Sequence, residues 1–309
     1  MSITAVIRAY NEGEHIGRLL TGLQQQTMRV DEVVVVDSGS SDNTVAVAES
    51  FGARVVSIAK EAFTFGRSLN YGCDAAKGEL LLIVSAHVYP VYDTFVERLA
   101  EPFNDSRVAI AYGRQVGDHR TKYAESRVMA KWFPEQSIQN QSHPFSNNAN
   151  AIVRKDTWNE LRYDERLTGL EDLDFAKRAL QRGLRIDYVA EAPVVHVHEE
   201  TWSTIRNRYR REAIAYKQIM GEEQFSAGKA VFLAGYSILS DYWHAMRSGE
   251  IISNLSEIPT FRIAQFVGAA EGFRTSPSIS DDLRRRFYYP DLRKRTPGEP
   301  PGRPIDYDV

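Results

Sequence analysis

Five stretches of this 309-residue chain carry side chains that could do chemistry. Asp37-Ser38-Gly39-Ser40-Ser41-Asp42 follows the apolar run 33–36, and Ser85-Ala86-His87 follows the apolar run 80–84. Glu171-Asp172 opens a segment in which Leu173, Ala176 and Leu180 recur at helical spacing. The peptide dipole favours an ionised carboxylate at such a helix start, so the pair either caps the helix or takes a proton from a bound hydroxyl. His196 and His198 alternate along one stretch, which places both on one face of a strand, as structural imidazoles or as metal ligands. Arg206-Asn207-Arg208-Tyr209-Arg210-Arg211 comes directly after them. Those guanidiniums are a solvated basic helix, a membrane-surface patch, or fixed cations for phosphoryl groups.

The surrounding elements must bring these residues together. Strand signals at 4–9, 32–36 and 53–58 alternate with helix signals at 12–26 and 42–51, the pattern of a parallel sheet with crossover helices. Val33-Val34-Val35-Val36 and Leu80-Leu81-Leu82-Ile83-Val84 are apolar without alternation, as central strands covered on both faces are. The loops after them then lie at the carboxyl edge of the sheet, where open α/β folds bind ligands. Asp42 is well placed to be the N-cap of the helix that follows. From 118 to 148 the periodicity fades, and Gln136, Gln139, Gln141 and His143 mix with Trp132 and Phe133, so a variable loop region is expected. Beyond it we expect a strand at 149–153, a helix at 170–182 closed by Gly183, and strands at 185–189 and 193–198. Ile205, Tyr209, Ala213, Tyr216 and Ile219 then mark a helix, with two more expected at 228–247 and 258–273 and an irregular tail from 276.

Composition narrows the function classes. With 43% hydrophobic and 26% charged residues the chain is globular, and its length suits about two domains of roughly 150 residues. Cys73 is the single cysteine, which excludes an internal disulfide and a Cys-rich zinc site. A net charge of −3 gives no general field for nucleic acid, so none is expected as a partner. The start Met1-Ser2-Ile3-Thr4 shows no signal peptide, and the apolar run 230–239 is far short of the roughly 20 residues of a spanning helix, so a cytoplasmic protein is expected.

Val6-Ile7-Arg8-Ala9-Tyr10-Asn11-Glu12, Val33 to Thr44, Phe65-Gly66-Arg67-Ser68-Leu69-Asn70-Tyr71-Gly72 and Gly169-Leu170-Glu171-Asp172 arrive in one order. Together they resemble the family-two glycosyltransferases, which have the GT-A fold; the likeness covers roughly residues 1 to 215 and is nearest to bacterial rhamnosyltransferase-type members. The resemblance implies an α/β fold with a Rossmann-like mixed sheet flanked by helices, and a C-terminal helical extension. It divides the chain into a nucleotide-sugar half (1–115), an acceptor half (116–200), helices (201–275) and a tail (276–309). It implies inverting sugar transfer from a nucleoside diphosphate sugar, of UDP or dTDP type, to a hydroxyl of a glycan or lipid-linked acceptor in surface polysaccharide assembly.

By the same resemblance Asp172 is the base beside Glu171, and Ala9, Tyr10, Glu12, Asp37, Ser38, Arg67, Asn70 and Ser85 lie along the nucleotide. Arg208, Arg210 and Arg211 are the candidate partners of the diphosphate, and His87, with His198 or His196, is the candidate metal set. The family's Asp-x-Asp is Ser85-Ala86-His87 here, which removes two carboxylates. That implies Mn²⁺ in preference to Mg²⁺, or no metal. The C-terminal helices complete the acceptor side, pair two copies, or rest on a membrane. Two rival readings remain: a catalytically impaired nucleotide-sugar-binding protein, and a sugar nucleotidyltransferase, whose Gly-rich loop after the first strand is absent.

Overall fold

The computed structural model describes residues 1–197, 199–221 and 225–275. In chain order the first half runs β1 (Ile3–Ala9), α1 (Ile16–Gln24), β2 (Glu32–Asp37), α2 (Thr44–Ser50), β3 (Arg54–Ser57), α3 (Phe65–Ala75), β4 (Leu80–Ser85), β5 (Val88–Pro90), α4 (Phe95–Ala100) and β6 (Val108–Val116). There follow α5 (Tyr123–Trp132), β7 (Asn150–Arg154), α6 (Lys155–Leu161), α7 (Glu171–Gln181), β8 (Arg185–His196), α8 (Trp202–Met220), α9 (Ala227–Arg247) and α10 (Glu257–Arg274).

One eight-stranded mixed sheet has the order β3-β2-β1-β4-β7-β6-β8-β5. Strands β3, β2, β1 and β4 are parallel, and β7 enters antiparallel to β4 and β6. Strand β1 has β2 on one side and β4 on the other, so the crossovers diverge there and open a crevice at its carboxyl end. The unbroken apolar strands are covered on both faces, as their composition requires: Leu80, Leu82 and Val84 pack toward α1 and α4, while Leu81 and Ile83 pack toward α3 and α7. The expected α/β fold with helical extension is the observed one.

Three local expectations are corrected. The stretch 118–148 holds a helix, α5, which is mostly polar and buries only Ala124, Glu125 and Met129. Its first backbone N–H groups, on Tyr123 and Ala124, donate to the Glu257 carboxylate at 2.6 and 3.4 Å, so its start is set from far along the chain. The two strands expected at 185–189 and 193–198 are one strand, β8. Its pairing with β6 breaks between Val189 and Val194, where Pro193 lies, and resumes at Gln115. In α7 the buried face is Glu171, Phe175, Ala176 and Ala179, while Leu173 and Leu180 are half-buried. The tail from 276 and His198 lie outside the described residues.

Candidate active site

The parallel register brings three predicted residues level. Ala9 pairs with Asp37 and Arg8 with Ser85, so β1, β2 and β4 end together at the carboxyl edge. Beyond β1, Asn11 has φ 55°, and immediately before α7 Leu170 has φ 56°. Asparagine tolerates this left-handed backbone, whereas leucine is disfavoured there by about 1–2 kcal/mol, so the entry to the acidic pair is locally strained.

At the β1 end of α7 the two carboxylates have different surroundings. Glu171 is 5% exposed, accepts from the Arg8 guanidinium at 3.2 Å and accepts from the Asn148 side-chain amide at 3.2 Å. Asp172 is half-buried and accepts from the backbone N–H groups of Asn148 at 3.2 Å and Leu173 at 2.8 Å. Among the described residues no cation stands within ion-pair distance of it. Burial and, after it, the neighbouring Glu171 charge push its carboxyl up to about 7. The dipole argument for an ionised Asp172 is thereby corrected: desolvation outweighs the helix start and poises this group near neutrality, where a general base works best.

The other end of the edge holds imidazoles. Ser85 and His87 are half-buried while Ala86 between them packs into the core, as alternation requires. The His87 Nδ1 lies 2.8 Å from the Glu12 carboxylate, and its ring stacks on His196 with centroids 5.1 Å apart and planes 20° from parallel. The His196 Nδ1 lies 2.7 Å from Gln115 Oε1, and Gln115 donates to Asn147 at 2.8 Å. Burial works against a charged His87, yet the charge and hydrogen bond of Glu12 prevail and hold the imidazole above its ordinary value.

The Nδ1 atoms of His87 and His196 are hydrogen-bonded to Glu12 and Gln115, the kind of second partner that orients a ligating imidazole. Among the described residues no group of three or more His, Cys, Asp or Glu side chains is arranged to hold a metal.

Asp37 accepts from the backbone N–H of Gly39 at 2.9 Å and of Ser40 at 3.1 Å, which shapes the Ser/Gly loop. Asp42 accepts from the Thr44 N–H at 3.0 Å and the Gly13 N–H at 2.9 Å, locking the loops after β1 and β2 to each other. Ser38 is buried, with its backbone N–H donating to the Ala9 carbonyl at 3.1 Å. The Tyr10 ring lies under the Lys60 ammonium, 4.8 Å from its centroid.

Two predicted nucleotide residues are engaged elsewhere. Asn70 is 2% exposed and makes four bonds, to Tyr163 O, Glu165, Trp158 Nε1 and Tyr163 N, so it clamps α3 to the 163–165 loop. Arg67 bonds Glu165 at 2.7 Å and the Ala62 carbonyl at 2.8 Å.

The basic cluster on α8 divides likewise. Arg208 pairs with Glu125 and Glu200, each at 2.6 Å, and Arg206 pairs with Glu271. The Arg210 carbonyl lies against Gly272 of α10, placing that position at the helix packing. Arg211 lies by the loop that enters α7: its guanidinium is 4.6 Å from the Phe65 ring centroid, Arg8 is 4.8 Å from the same centroid, and Gly169 is its close neighbour.

Sequence reasoning missed Arg8, Asn148 and Phe65. Arg8 had a signal, since a lone charge inside the buried strand Val6-Ile7-Arg8-Ala9 needs a partner. Asn148 and Phe65 had none.

The sheet order, the carboxyl-edge crevice and the acidic helix start define a GT-A type glycosyltransferase fold. The family model "Glycosyl transferase family 2" matches residues 4–161, and the chain belongs to that family. The O-antigen chain rhamnosyltransferase RfbN of Salmonella typhimurium is 25% identical over 65% of this chain and 68% of its own length. WbaN of Salmonella anatum, also an O-antigen chain rhamnosyltransferase, is 24% identical over 65% of this chain and 67% of its own. Among solved structures, the Pyrobaculum calidifontis mannosyltransferase PcManGT, in complex with GDP-Man and Mn²⁺, superposes with a TM-score of 0.60 at 16% identity, covering 88% of this chain and 87% of that one. S. aureus TarS 1-349 with UDP-GlcNAc gives a TM-score of 0.55 at 19% identity over 87% and 82%. This chain spans 44% of a longer TarS chain.

Proposed function

We propose that this glycosyltransferase moves a deoxyhexose such as rhamnose from a UDP- or dTDP-type donor to a hydroxyl of a glycan or lipid-linked acceptor, with inversion. The observation that carries the reading is Asp172: half-buried, beside a Glu171 already neutralised by Arg8, and facing no cation of its own. The Salmonella relatives' names support the sugar and the glycan acceptor.

Asp172 takes the proton of the acceptor hydroxyl as its oxygen forms a bond to the anomeric carbon. The bond from that carbon to the diphosphate oxygen breaks on the opposite face, and the nucleoside diphosphate leaves with the electron pair. Arg211, held on Phe65 next to Gly169, is the α8 cation best placed to meet the developing charge. Asp37, Ser38 and the Ser/Gly loop line the nucleoside, with Ala9, Tyr10 and Glu12 beside it. A divalent cation would be bound chiefly by the diphosphate, with His87 and His196 as nitrogen donors, and would supply charge neutralisation there.

Calorimetric titration of the protein with UDP, dTDP and GDP, each with and without Mn²⁺, tests this. Binding of one uridine or thymidine diphosphate, followed by transfer from the matching sugar donor, is the expected result. Failure of every nucleoside diphosphate to bind would remove the reading.

A further inference from the structure

Helix α9 carries an apolar ridge that no described element covers. Phe232, Tyr236, Leu239, Trp243 and Met246 stand at alternating steps of four and three residues and are 53–71% exposed. Such a ridge, about 20 Å long at 1.5 Å per residue, is far from the single exposed apolar residues that any surface has. It continues past the helix end, where Ile252 is 83% and Leu255 55% exposed. The opposite face of α9 is occupied: Ala230 and Ala245 are buried, and Asp241 accepts from the Arg262 guanidinium of α10 at 2.7 Å.

Charge decides what covers the ridge. Between residues 227 and 249 the charged side chains are Lys229, Asp241 and Arg247. Asp241 is 3% exposed in its pair with Arg262, so the two exposed charges are both basic, one near each end of the helix. The first exposed acid, Glu250, comes only after the helix has ended. A second copy laid antiparallel would set Lys229 against Arg247, and a parallel copy would set each cation near its twin, with no acid on the helix to neutralise either. An anionic lipid surface meets both with opposite charge. The side-chain set also suits that boundary, because Phe and Leu enter the acyl region while Tyr and Trp keep a polar edge at the headgroups. No helix of the described residues is long and apolar enough to cross a membrane, so such contact lies along the surface.

We propose that α9 and the turn after it dock this protein on an anionic membrane surface, with Phe232, Leu239 and Trp243 in the headgroup–acyl boundary and Lys229 and Arg247 on acidic headgroups. The inference stands on this surface alone and not on the transfer chemistry.

Sedimentation of the full chain with vesicles of phosphatidylcholine, or of phosphatidylcholine mixed with phosphatidylglycerol, tests it, with light scattering run on the same samples. We expect binding to the anionic vesicles that weakens as salt is raised. The double variant Leu239→Ser, Trp243→Ser should lose at least about tenfold in that binding with its melting temperature retained. Lys229→Gln with Arg247→Gln should lose roughly twentyfold on anionic vesicles and nothing on neutral ones, at about fivefold per basic residue. Should the serine variant unfold, the charge variant decides: retained preference for anionic vesicles overturns the proposal. Wild-type protein that fails to sediment with anionic vesicles, or a dimer that the serine variant turns into monomer, would also overturn it.

Discussion

At one end of the sheet edge Glu171 has Arg8 and its neighbour Asp172 has no cation; at the other, His87 has Glu12 and a stacked His196. Both ends bury ionisable groups, and the partners send them opposite ways. Arg8 neutralises one carboxylate only, and the remaining pair repulsion and burial lift Asp172 toward neutrality. Glu12 instead overcomes burial and favours the charged imidazole. A buried group with a partner is set for architecture, whereas one left without a counter-charge keeps a proton-transfer role open. Arg208, tied to Glu125 and Glu200, is likewise held in the architecture.

The widest break of this comparison comes from Asp172→Asn. Transfer should fall at least about a hundredfold with nucleotide binding nearly intact, the size of a lost general base. Retention of more than about a tenth of wild-type turnover would assign the pair to helix capping. Its pH behaviour sharpens the point. The folded pKa lies above the unfolded one, so the favourable contribution is present at low pH and is lost as pH rises through about 7. The melting temperature of the Asn variant relative to wild type should therefore be higher in alkaline than in acidic buffer, and wild-type kcat should climb through the same range.

Asp37→Ala should weaken nucleoside diphosphate binding by roughly 1.5–3 kcal/mol, since a charge-assisted bond is lost and the loop held through Gly39 and Ser40 loosens. Equal thermal shifts on adding UDP or dTDP to variant and wild type would sink that assignment. Arg8→Ala should destabilise the fold by about 2 kcal/mol, below the full cost of a broken buried pair because Arg8 is partly exposed and Asn148 still donates to Glu171. With one positive charge gone, the rising limb of the transfer profile, set by Asp172, should move up in pH.

The smallest effect belongs to Glu12→Gln. His87 has a raised pKa, so its pair stabilises the fold below the ordinary histidine value and loses that contribution as pH rises through the raised one. The variant should cost under about 1 kcal/mol, and only in acidic buffer. Proton NMR should show His87 titrating at lower pH than in wild type; an unchanged midpoint would remove Glu12 as its controlling partner.

Much of the architecture was legible from local pattern. The apolar runs at 33–36 and 80–84 announced two central strands, and their ends announced a carboxyl edge carrying Asp37 and Ser85. The helix starting at Glu171 and the three C-terminal helices also read directly from periodicity. Helix α5 did not, because its start is satisfied by Glu257, over a hundred residues away, and its own face is weakly apolar. Nor did the division of labour within the site. Asn70 looked like a ligand residue and is a saturated core clamp, while Arg8 looked like an interruption of a strand and is the counter-ion of Glu171.

Periodicity encodes which side of an element is buried, because burial repeats along the chain. By itself the sequence therefore determined the strands, their covered faces and the arrival of an acidic pair at the sheet edge. Which of two adjacent carboxylates meets a cation, which imidazole meets a carboxylate, and which arginine of a run meets Glu125 and Glu200 depend on contacts between residues tens to hundreds of positions apart. Those follow from distances of a few ångströms set by packing, and only the tertiary structure decided them.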